Sequence, residues 1–102
     1  MKDKRQDDFS VERDQKARRR AHWAYILAAF LKESPSLCNE LEKDLERAGV
    51  RTGLDHRQEV EAFAAVLEYV LEEVNVDIED DLSEFDEHEQ GEIVFDRLVS
   101  AT

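Results

Sequence analysis

Polar and apolar positions divide this chain into segments of different character. Residues 1–9 (MKDKRQDDF) alternate in charge without an apolar period and read as a mobile N-terminal tail. Ser10 is a suitable N-cap, and a first helix is expected from there to about Lys32. Its early part, residues 12–16, is polar. Its later part, residues 23–31 (WAYILAAFL), holds no charge and sits directly behind a basic cluster of Lys16, Arg18, Arg19 and Arg20. A surface helix needs one apolar stripe, but a helix that is apolar all round must be covered on every side. A chain of 102 residues has little material for that. The pattern therefore predicts cover from a second protein surface, either another copy or a partner.

Ser34 and Pro35 mark the next start, with proline at the first helical position. Leu37, Cys38, Leu41, Leu45 and Ala48 form an apolar stripe, and Gly49 is the expected C-terminal glycine. The second helix is thus expected over residues 35–48. After a loop at 49–54, Asp55 can cap a third helix with Gln58 as its capping-box partner. Val60, Phe63, Leu67, Val70 and Val74 follow at alternating spacings of three and four. Ala64 and Leu71 broaden that stripe, while Ala62, Val66 and Tyr69 add a second apolar side. Two heptads are too short for a coiled coil. Residues 75–81 (NVDIEDD) read as an extended linker rather than a strand. A fourth helix is expected to start at Ser83, with Asp86 three residues on, and to run through Val99 with an interruption at Gly91.

The expected fold class is all-α: a small domain of three to four helices, over residues 10–102, forming a homodimer. Composition agrees, with only three Gly and one Pro among 102 residues. Charge is uneven. Residues 1–20 carry eight Lys/Arg against five Asp/Glu, whereas residues 72–102 carry only Arg97 against twelve acids, all within 72–96. The net charge of -12 repels nucleic acid and membrane head groups and argues against both as partners. The apolar run is shorter than the roughly 20 residues of a membrane span, no secretory signal is apparent, and a cytoplasmic location is expected.

Candidate chemistry is sparse. The acids from 77 to 89 invite a calcium loop with Asp77, Glu79 and Asp81 as ligands. Leu82 stands where the loop needs glycine and His88 where it needs glutamate, so no metal is expected. His22, His56 and His88 share no metal or catalytic spacing. Cys38, the single cysteine, lies on an apolar stripe and reads as a buried thiol. The Arg18–Arg19–Arg20 cluster beside aromatic residues resembles a nucleic-acid stacking surface only superficially, and pairing with the chain's own acidic segment, or with a partner's, explains it better. No cofactor and no enzymatic activity are expected.

What remains is contact. The residues expected to form a partner or dimer interface are Trp23, Tyr25, Leu27, Phe30, Leu31, Ala62, Val66 and Tyr69. The expected role is regulatory: inhibition or sequestration of a protein partner, of the anti-activator type, through an apolar helix face. The alternative is nucleic-acid mimicry, with the acids of 72–96 occupying the basic groove of a DNA- or RNA-binding protein.

Overall fold

The computed structural model describes residues 4–50, 59–78 and 81–102, with side chains from Arg13 onward. It contains four helices: α1 (Lys4–Glu33), α2 (Pro35–Arg47), α3 (Val60–Glu73) and α4 (Glu87–Ala101). No strand occurs among the described residues, in agreement with the all-α expectation. α1 is the central element, packed most extensively on α3, then on α4, and least on α2.

α1 starts at Lys4, so Ser10 lies inside it instead of capping it. A cap contributes only about 1 kcal/mol, and nothing ahead of Ser10 is a Gly or Pro that would stop a helix. Residues 13–18 are all exposed, so this polar half of α1 is solvated.

The apolar run finds its cover within the chain. Trp23, Ala24, Ile26, Leu27, Ala28, Phe30 and Leu31 are buried, Ala29 is half-buried, and Tyr25 is 52% exposed. This corrects the expectation that a second protein must cover the run. The missing material comes partly from the segment between α3 and α4. There Val76, Ile78 and Leu82 are buried, while Asp77 is half-buried and Asp81 exposed. A segment that looks like a linker thus contributes three residues to the core.

Three polar side chains fasten that segment. The Trp23 indole N–H donates to the Ile78 carbonyl at 3.3 Å. Arg19 pairs with Asp77 at 3.4 Å, so part of the basic cluster is engaged by the chain's own acids. The Gln90 side-chain amide donates to the carbonyls of Leu82 at 2.8 Å and Phe85 at 2.9 Å.

Two helices end in the same way. Gly49 takes φ +82°, and the amides of Gly49 and Val50 donate to Glu46 and Leu45. Asn75 takes φ +60°, and the amides of Asn75 and Val76 donate to Glu72 and Leu71. Both are Schellman motifs, in which a left-handed residue lets its own amide and the next one reach back to free carbonyls. In each, the following valine turns back against the core.

α2 begins at Pro35 as expected, with Ser34 at the cap position but without a side-chain cap bond. α3 begins at Val60 after Glu59 in extended backbone. The expected cap at Asp55 with Gln58, and His56, lie outside the described residues. α4 starts later than expected, because Asp86 rather than Ser83 caps it; the Asp86 carboxylate accepts from the Glu89 amide at 2.8 Å. Gly91 does not interrupt α4. It lets α4 approach α1, since a Cβ there would sit 2.5 Å from the Cβ of Phe30.

Candidate functional site

Among the described residues, those with reactive side chains do not converge. Cys38 is buried on α2, and desolvation, followed by the nearby Glu42 charge, pushes its thiol pKa up. A thiol held protonated is a poor nucleophile. His22 is exposed and its ring lies 4.8 Å from that of Trp23. His88 lies at the other end of the same surface, 5.1 Å from the Phe30 ring and with Nδ1 3.7 Å from the Glu33 carboxylate. Among the described residues no group of three His, Cys, Asp or Glu side chains is placed to hold a metal ion.

The expected contact residues divide into two sets. Trp23, Leu27, Phe30 and Leu31 belong to the chain's own core together with Phe63, Leu67, Val70 and Leu98, which leaves them little surface to offer. Tyr25, Ala62 and Tyr69 are exposed, and Val66 is half-buried. Ala62, Val66 and Tyr69 follow one another at spacings of four and three along the outer side of α3, with exposed Ala65 between them. Phe85 is a further exposed large side chain that the interface expectation did not include.

Tyr25 stands at a groove. An open cleft of about 440 Å³ is lined by Tyr25, Ile26, Ala29, Phe30 and Glu33 of α1 and by Asp86, Glu87 and His88 at the start of α4. A second cleft adjoins it, sharing Ile26 and Glu87 and adding His22, Asp81 and Ser83. Both lie beside the same side of α1, which runs here from His22 to Glu33. At 1.5 Å of rise per residue this is roughly 16 Å, about three helical turns. The walls follow from local sequence: the Asp86 cap fixes where α4 begins, and Gly91 sets how close it lies to Phe30.

The groove is apolar in its floor and acidic at its edges. Ile26 and Phe30 are buried at its base, while Glu33, Asp81, Asp86 and Glu87 are exposed. The Ser83 hydroxyl and amide donate to the Asp81 carboxylate, which lowers its pKa from the ordinary value. No Lys or Arg lines either cleft. The sequence signal for this groove was present but divided: a Tyr inside an apolar run, and an acidic stretch elsewhere with nothing to place the two together.

A second concave region lies where Arg13, Lys16 and Arg20 of α1 meet Glu68 and Glu72 of α3. Opposite charges face each other there, and the Arg20 Nε is buried without a hydrogen-bond partner. No described helix is long and apolar enough to cross a membrane. No family model, curated protein or solved structure matches this chain.

Proposed function

We propose that this protein is a non-enzymatic regulator that binds a protein partner through the apolar groove beside Tyr25, inhibiting or sequestering that partner. Targets of the transcription-regulator kind fit such an adaptor by analogy. The observation that carries the reading is Tyr25 itself: the one large residue of the apolar run that the fold leaves open, at the rim of a groove floored by Ile26 and Phe30. Tyrosine offers a broad, rigid contact at low entropic cost and is enriched where interfaces are strongest. The expected homodimer rests on surplus apolar surface of the first and third helices; the chain covers the α1 run itself, while Ala62 and Tyr69 of α3 stay exposed and Val66 half-buried. The proposal for the Tyr25 groove is a different protein as partner.

The second reading, nucleic-acid mimicry, is favoured by one observation. Every described acid between Glu72 and Asp96 is exposed except the half-buried Asp77, which pairs with Arg19. Two sets of substitutions separate the readings. Tyr25→Ala should weaken capture of the cellular partner by roughly 30-fold, the effect of losing a hot-spot contact of about 2 kcal/mol. Converting Glu72, Glu73, Glu92 and Asp96 to their amides, away from the groove, should leave capture nearly unchanged. The reverse outcome, with the amide variant losing its partner and a folded Tyr25→Ala keeping it, would replace the groove by charge mimicry.

A further inference from the structure

We infer that the Tyr25 groove takes a cationic amphipathic helix of about three turns, with apolar side chains against Tyr25 and the half-buried Ala29, over a floor of Ile26 and Phe30, and Lys or Arg against the acidic edges. This deepens the function proposed above and rests on it.

Length, floor and charge each narrow the occupant. The groove follows α1 for roughly 16 Å, which suits an elongated segment rather than a single side chain. A partner helix presenting residues at i, i+3, i+4 and i+7 would lay one apolar stripe along that length. The edges carry Glu33, Asp81, Asp86 and Glu87 with no Lys or Arg lining the clefts. Lys32, the nearest lysine along α1, lines neither cleft.

One local term opposes a cation. The N-terminus of α4 opens into the groove, and a helix N-terminus is equivalent to roughly half a positive charge. The Asp86 carboxylate already accepts from the Glu89 amide there, and four carboxylates outweigh half a charge. An acidic partner would meet the reverse balance, with its carboxylates against these four and against a chain of net charge -12. A second copy of this chain meets the same penalty when it pairs through the groove or through α3. From Gln58 to Asp96 the sequence holds no Lys or Arg, so groove-to-groove or α3-to-α3 pairing sets acid against acid. The apolar face of α3 is similarly set among Glu59, Glu61, Glu72 and Glu73. None of the described clefts is lined by Ala62, Val66 or Tyr69.

The test uses the full chain, labelled with nitrogen-15, and three synthetic peptides of about 14 residues. One places Leu at helical stripe positions and Lys elsewhere. The second replaces each Lys by Glu. The third scrambles the first, keeping its charge while breaking the stripe. The expected result is saturable shifts of the amides of 22–33 and 81–90 with the Leu/Lys helix alone. Affinity should fall at least tenfold in the Glu33→Gln, Asp86→Asn, Glu87→Gln variant with its spectrum still dispersed; Asn retains the cap while removing the charge. Equal binding of the Glu peptide at the groove overturns the cationic assignment while leaving contact through the groove intact. Equal binding of the scrambled peptide reduces the effect to bulk attraction and overturns the helix. Shifts centred on 62–69 move the site to α3 and overturn the groove. Absence of shifts with all three peptides overturns this inference, while loss of partner capture in Tyr25→Ala would leave the function it rests on standing.

Discussion

Leu67→Ala is expected to lower the unfolding free energy by about 2–5 kcal/mol. Leu67 lies on α3 and is fully buried, and the contact of α3 with α1 is the most extensive among the described helices. Removing three carbons there loses their transfer energy and leaves a cavity that neighbouring rings such as Phe63 cannot fill without moving off their own contacts. Domains of this size are stable by only about 5–15 kcal/mol, so the change is a large fraction of the total. Denaturant titration followed by circular dichroism reads it directly. A midpoint equal to that of the unsubstituted protein would mean that this face of α3 is not packed as described.

Gly91→Ala carries a second large effect, and its sign is the informative part. In an exposed helix the change would stabilise by about 1 kcal/mol, because glycine is the poorer helix former. Here the added methyl would sit 2.5 Å from the Cβ and 2.9 Å from the Cγ of Phe30. A Cβ cannot rotate away, so relief requires moving α4 relative to α1. Overpacking of this kind costs about 1–3 kcal/mol, and its upper end applies when the obstruction lies so close to backbone. Net destabilisation is therefore expected, accompanied by loss of partner binding, because the same helix approach shapes the Tyr25 groove. The exposed neighbour gives the control: Glu92→Ala should shift stability by no more than about 0.5 kcal/mol. A Gly91→Ala protein more stable than the original would remove the close approach from the account.

The two glycines show which features could be read from sequence. Gly49 ends α2 by a local rule, left-handed backbone after the last helical residue, and local rules need only neighbouring residues. Pro35 starts the same helix by an equally local constraint. Gly91 looks like a break by local rules and is instead a contact with Phe30, sixty-one positions earlier in the chain. Asn75 does for α3 what Gly49 does for α2, but asparagine serves many loop roles and does not announce this one. Ser10 is a suitable cap by type, yet nothing before it stops the helix, and α1 continues to Lys4.

The same limit governed the candidate site. The apolar pattern of residues 23–31 marks a segment that must be covered, and it is covered. Whether cover comes from inside or outside depends on where Val76, Ile78 and Leu82 fold, and alternation over so few residues does not tell a core-facing linker from a solvated one. Once those three residues and α4 are in place, Trp23, Leu27, Phe30 and Leu31 become core. Tyr25 remains open, and the acids of the α4 N-terminus become its neighbours.

The central claim is that one chain closes its own core around α1, leaving the Tyr25 groove for a partner. The concentration dependence of unfolding tests it most directly, because a core completed by a second copy ties stability to protein concentration. The account predicts a denaturation midpoint that stays constant over a roughly hundredfold range of protein concentration. A midpoint that climbs steadily with concentration would contradict it, by showing that the apolar surface of α1 and α3 is completed only in an assembly.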